Sequence, residues 1–236
     1  MEQQSILSPQ ERRLRNRERN REEMKAAILD AARAVMREEG VAALNLQEVA
    51  RRVGVRAPSL YEYFPGKMAI YDALFRLGAR LYAQRLTQIA QRPASLWQHL
   101  RAVMEEYLSF AQESPELYQL IFERPVPGFV PSEESLQESR RSLAIGGELL
   151  QQDIERAGMV IRLPLAQARD LVIAMMHGIV AQHMANEPEL PVGSGRFASL
   201  IPAAVALFQA SWEPQSAQRA PETETDASGP ASHSQE

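Results

Sequence analysis

The chain has 236 residues, 45% hydrophobic and 24% charged, with a formal net charge of −4 and no cysteine. This is enough apolar material for one large domain or two small ones, and the missing cysteine excludes a disulfide framework, thiolate chemistry and a cysteine-ligated metal. The charge is uneven: residues 1–80 hold 15 Lys/Arg and 11 Asp/Glu, a balance of +4, and the remainder balances at −8. Either the N-terminal part meets a polyanion, or the charges cluster on solvated helices.

Nearly every segment has helical period, so an all-α chain is expected. Residues 1–20 read as a basic arm. Six arginines fall between positions 12 and 21 with little apolar content, which suits a segment that is disordered or only nascent helix when free. A helix follows from about Arg21 to Glu39, with Met24, Ile28, Ala31 and Val35 on one face. Gly40 then suits the end of that helix. Asn45 can cap a short helix, and Glu48 three residues on resembles the second half of a capping box. Gly54 supplies a tight turn. Another short helix starts near Ala57, with Pro58 in its first turn, and ends by Phe64 because Pro65 disfavours helical geometry before it.

A long helix runs from Lys67 to about Gln91. Others span about Ser95–Glu113, Pro115–Phe122 and Ser132–Ala157, the last with Leu136, Leu143, Leu150 and Ile154 inward. The segment ERPVPGFVPS between them reads as a loop. Helices near 165–186 and 196–212 close the ordered part, and Pro202 should bend the second or delay its start. Residues 213–236 lack a large apolar residue and read as a disordered tail. The most apolar run, LVIAMMHGIVAQHMA, is too short to cross a bilayer, and the first residues are not those of a secretory signal. A cytoplasmic protein with no membrane partner is expected.

The helix at 46–52, the glycine turn and the helix from 57 have the spacing of a helix-turn-helix. Its second helix would put Arg56, Ala57, Pro58 and Ser59 at base edges in a major groove. Arginine can pair with guanine, serine can donate or accept, and alanine and proline can touch a thymine methyl. Tyr61, Tyr63 and Lys67 would then reach phosphates, with Lys67 at a helix N-terminus, and Phe64 would anchor the turn. The other reading is a core turn with incidental tyrosines.

The stretch LNLQEVARRVGVRAPSLYEYFPGKMAIYDAL resembles the DNA-binding domain of the tetracycline-repressor (TetR) family of bacterial regulators. The matches are Val49-Ala50, Gly54-Val55, Tyr61, Phe64 and Lys67. Asn45 stands where that family has Thr or Ser, Arg56 where a small hydroxyl residue is common, and Tyr63 where His is frequent. The resemblance implies DNA contacts from Asn45, Gln47, Arg56, Ala57, Pro58, Ser59, Tyr61, Tyr63 and Lys67. The segments PELYQLIFERPVPGFVPS and MMHGIVAQH look similar to the family's WHG-type ligand-binding domain. That implies a cavity between helices, with Tyr107, Phe110, Phe122, Met175 and His177 as candidate lining residues, each otherwise an ordinary core residue.

The resulting expectation is a two-domain, homodimeric regulator: an arm (1–20), a helix-turn-helix domain (21–66), a regulatory and dimerisation domain (67–212) and a tail (213–236). It would bind double-stranded operator DNA and be released by a small-molecule effector. The alternative is a ligand-independent DNA-binding protein of the same fold. No phosphate loop, nucleophile motif or carboxylate pair stands out, so no enzymatic activity, cofactor or metal is expected. His177 and His183, six apart, lie on different helix faces. The last two helices, with Leu171, Val172, Met175, Ile179 and Val180 on one and Phe197, Leu200, Ile201, Leu207 and Phe208 on the other, carry more apolar surface than one monomer can cover.

Overall fold

The structure, a computed structural model, describes residues 8–214. Among the described residues ten α-helices lie in chain order: α1 (Pro9–Glu39), α2 (Leu46–Arg52), α3 (Ala57–Leu60), α4 (Lys67–Ala90), α5 (Leu96–Glu113), α6 (Pro115–Phe122), α7 (Glu133–Ala157), α8 (Leu165–Asn186), α9 (Gly195–Ala198) and α10 (Ile201–Ser211). The all-α reading holds apart from one antiparallel pair of two-residue strands, β1 (Met159–Val160) with β2 (Glu213–Pro214). The first two residues assigned to a tail are therefore paired. The rest of that segment, 215–236, lies outside the described residues, as do residues 1–7 of the arm.

The arm is corrected over residues 9–20, which are the opening turns of α1 rather than irregular chain. Composition misled because this helix needs no apolar partner. The Ser8 hydroxyl accepts from the Glu11 N–H, and the Glu11 carboxylate accepts from the Ser8 N–H. Arg19 and Glu23 pair one turn apart, and Arg and Glu are good helix formers. These twelve residues extend about 18 Å beyond the packed part of the helix.

From Ile28 onward α1 is buried on one face through Ile28, Ala32, Val35 and Met36. It packs on α2, and with α3 and the start of α4 it closes the first core. α4 is the shared element. Its 24 residues span about 36 Å and carry Ile70, Tyr71 and Leu74 in that first core, then Tyr82, Leu86 and Ile89 in the second. The Tyr71 hydroxyl donates to the Val41 carbonyl at 2.6 Å, and burial pushes that phenol up to about 12.

α5, α6, α7, α8 and α10 build the second core around the distal part of α4. α7 is fastened to α4 at its start, where the Ser132 N–H and hydroxyl both donate to the Asp72 carboxylate, at 2.7 and 2.9 Å. Burial pushes that carboxyl up, but the bonds from Ser132 and Ser135 outweigh it and hold it below its ordinary range. Arg76–Glu134 and Arg80–Glu138 continue the seam. Pro202 delays a start, as its position requires: α10 begins at Ile201, after the separate turn of α9.

α1 also crosses to the second core. Glu116, fully buried on α6, accepts from Arg33 at 2.7 Å and lies 3.8 Å from Arg37. Arg33 also donates to the Ser114 hydroxyl. Removing one partner of a buried pair strands the other charge, at a cost of about 3 kcal/mol or more. Arg33→Met should therefore lower unfolding stability by about 3 kcal/mol in a urea titration. Replacing an exposed arginine such as Arg92 should change the stability by less than about 0.5 kcal/mol.

Candidate nucleic-acid interface and ligand cavity

The helix-turn-helix is formed by local chemistry. The Asn45 side chain accepts from the Gln47 N–H at 2.9 Å and starts α2. The expected capping box is not formed. Glu48 turns away from the cap and takes the guanidiniums of Arg51 and Arg52 at 2.7 Å each. Its bonds from Arg51, then Arg52, hold the carboxyl down at about 2. Arg52 extends the group to Glu38 of α1. The turn passes through Gly54 at φ 72°, a left-handed conformation that favours glycine. Val49, Ala50 and Leu60 are buried between the helices, with Val53, Val55 and Ala57 half-buried beside them.

After Leu60 the chain winds more tightly. Tyr61, Glu62 and Tyr63 each donate three residues back, to Pro58, Ser59 and Leu60. This short 3-10 extension keeps the tyrosines on the outer side while Phe64 drops into the core. Arg56, Pro58 and Tyr61 are exposed, Tyr61 by 59%, and Gln47 is exposed at the start of α2. Arg56 has no ion pair among the described residues. Ser59 is half-buried. Ala57 faces the packed side, which weakens its reading as a base contact. Lys67 is half-buried, and its ammonium donates to the Ala42 carbonyl at 3.2 Å and lies over the Tyr71 ring, leaving donors free. Tyr63 is half-buried under Arg21, whose guanidinium sits 5.7 Å from its ring centre and donates to the Glu62 carbonyl.

That last contact extends the interface. Arg13, Arg17 and Arg21 lie at i, i+4 and i+8, on one face of α1. Arg17 and Arg21 line one cleft with Tyr63 and Glu62, so this face of the helix continues the surface of the recognition turn.

In the second core, a cavity of about 550 Å³ lies among α4, α5, α7 and α8. Tyr107, Phe122 and His177 line it. Phe110 and Met175 do not. Phe110 is fully buried against Tyr82, with Arg85 over its ring, and the neighbouring Met176 takes the cavity position instead of Met175. Leu143 is also corrected: it is 42% exposed and lines the open side of the cavity rather than the core. Val180 is buried inside its own chain, so it is no surface position.

Sequence reasoning missed the polar pair at one end of this cavity, His99 and Asp153. At one end His99 sits with Nδ1 2.7 Å from Asp153 and Nε2 2.9 Å from the Arg92 carbonyl. Arg156 donates to the other Asp153 oxygen. The signal was the position of His99, one turn after Leu96 and next to Leu100, on an amphipathic helix. At the other end Tyr107 and Tyr118 bring their hydroxyls to His177 Nδ1, at 3.0 and 3.4 Å. Burial pushes the Tyr118 phenol up to about 12 and Tyr107 further. His183 is separate: it is buried and holds the loop after α8 through Leu190 and Gln112.

A sequence profile of bacterial regulatory proteins of the tetR family matches residues 28–74, and one of the tetracyclin repressor-like C-terminal domain matches residues 100–201. Together they cover more than half of the chain. The protein belongs to the TetR family. It is 31% identical over 103 residues to the HTH-type transcriptional activator FasR of Mycolicibacterium smegmatis, covering 44% of this chain and 47% of FasR. The chain thus spans about half the length of the curated relatives it matches. The fold is similar to FadR from Bacillus subtilis, solved in complex with stearoyl-CoA, at a TM-score of 0.60 and 19% identity over 77% of this chain and 96% of that one. It is also similar to AibR, solved with isovaleryl coenzyme A and operator DNA, at a TM-score of 0.58 and 17% identity over 78% and 96%.

The cap is open to a direct test. Asn45→Ala removes the bond that starts α2 and should cost about 1 kcal/mol of stability, read as a lower urea midpoint. Asn45→Ser should recover most of it, since serine caps as well as asparagine.

Proposed function

We propose that this protein is a homodimeric, cytoplasmic repressor that binds operator DNA through α2 and α3 and leaves it when a small molecule enters the cavity. The observation that carries the reading is the open face of the helix-turn-helix, where Arg56, Pro58 and Tyr61 stand exposed at the start and end of the short second helix. Arg56 would read guanine. Tyr61, Tyr63 and Lys67 would hold phosphates, with Asn45, Gln47 and Ser59 beside them. The cavity favours a ligand-responsive regulator over a constitutive one, because a protein that only binds DNA has no need of such a void. The acyl-CoA complexes of FadR and AibR make acyl thioesters the first effectors to test.

The arginine stripe of α1 would add affinity. A helix is about 10–12 Å across with its side chains and the minor groove about 6 Å wide, so α1 would lie along phosphates rather than enter that groove. Footprinting on genomic DNA should first yield the operator. On that fragment Arg56→Ala should cost ~1–3 kcal/mol and relax specificity at one base position. The double change Arg13→Ala and Arg17→Ala should weaken all sequences alike and flatten the slope of log K against log salt by roughly two units. An unchanged slope would put the stripe off the DNA.

Dimerisation would use α8 and α10. Leu171 of α8, Leu207 of α10 and Leu200 just before α10 are exposed, Leu207 by 63%, while both helices already bury their other faces. Two-fold pairing into a four-helix bundle would cover them and set the spacing of the two reading heads. Leu207→Glu should give monomers by sedimentation, with a folded helix-turn-helix and lost operator affinity. A wild-type monomer at micromolar concentration that still selects the operator would overturn this arrangement.

A further inference from the structure

The polar groups of the cavity divide into spent and unspent ones. His99 and Asp153 are spent, since each is bonded within the chain. Arg140 and Arg169, on the exposed side formed by α7 and α8, are paired with Glu133 and Asp170. At the Tyr107 end the count differs. Two hydroxyls converge on His177 Nδ1. If Nδ1 carried the proton, it could serve one phenol, and both phenol protons would still need acceptors. With Nδ1 as acceptor, Tyr107 donates to it and Tyr118 to the same nitrogen or to the Tyr107 oxygen. That assignment puts the ring proton on Nε2, which has no partner among the described residues. Tyr82 supplies a second donor. Its ring is held by Tyr107, Phe110 and Phe122 at 5.4–5.7 Å, and its hydroxyl has no hydrogen bond among the described residues. It is also absent from the side-chain atoms sealed off without a partner, which among the described residues are on Glu116, Glu138 and His183. Both residues line the cavity.

We infer that the cavity takes an apolar ligand bearing an uncharged carbonyl oxygen, which accepts from His177 Nε2 and the Tyr82 hydroxyl. This rests on reading the cavity as an effector site. A carbonyl oxygen has two lone pairs and matches two donors. A carboxylate suits these donors poorly: both are neutral, the arginines that line the cavity, Arg140 and Arg169, are already paired with Glu133 and Asp170, and a buried unpaired charge is costly. The body of the ligand extends along α5, where Leu96 to Tyr107 measures about 16 Å of helix, against Leu86, Leu100, Val103, Leu150 and Val172.

Isothermal titration of the full chain with methyl decanoate, decanoate and undecane tests this. The ester should bind best. Tyr82→Phe, which keeps the ring packing, should weaken the ester about five-fold and leave undecane unchanged, as expected for one hydrogen bond. His177→Phe should do likewise, with its melting curve checked because Tyr107 loses a partner. Decanoyl-CoA, which shares the carbonyl, should respond to Tyr82→Phe as the ester does if the carbonyl is what is read. Equal binding of the ester and undecane, or a preference for decanoate, overturns the carbonyl assignment and leaves the effector site standing. No binding by any of the four overturns both readings.

Discussion

Most of this structure hangs on the continuity of α4. One unbroken helix carries Ile70, Tyr71 and Leu74 into the DNA-side core and Tyr82 and Leu86 into the wall of the cavity. A helix does not kink sharply without proline, a Gly/Ser pair or a disrupted ladder, and α4 is a single α-helix with no proline. A displacement at Tyr82 must therefore be taken up by motion of the helix as a body or by repacking of its neighbours. The Asp72 seat for Ser132 and the Glu116 pair with Arg33 limit that choice. The first ties α7 to α4, and the second ties α6 to α1. Ligand and DNA can bias one another only by differing in their affinity for the states this frame allows.

The DNA-side unit was legible in the sequence because its determinants are local. Asn45 caps, Gly54 turns, Pro65 stops the second helix, and Val49, Ala50 and Leu60 fall where two short helices meet. Each is set by neighbours within a few residues. The order and bounds of the long helices were legible for the same reason, from Ser95, Ser132 and the prolines that punctuate them. Two local readings still failed. Glu48 had arginines three and four residues away, and those charges won over the cap. The arm looked too polar to be ordered, yet a reciprocal cap at Ser8 and ion pairs along the helix hold it without burial.

The cavity was only partly legible. Periodicity says which side of α5 points inward, but not whether the space there is filled. Tyr107 and Phe110 lie three apart on that side. One borders the void, and the other is packed solid by Tyr82 and Arg85. Met175 and Met176 differ by one step of α8, and only the rotation of the whole helix decides between them. The His99–Asp153 pair joins residues 54 apart in sequence, and no spacing rule could bring them together.

That pair has a bearing on selectivity. Both ring nitrogens of His99 and both oxygens of Asp153 are already bonded inside the chain, so this end of the cavity asks nothing chemical of an occupant. Around it stand Leu96, Leu100, Leu149 and Leu150. A chain reaching that far meets an apolar stop and is measured by its length alone. Side-chain volume at Leu100 or Leu149 would then set how much of an occupant fits at this end without touching the polar groups beside Tyr107.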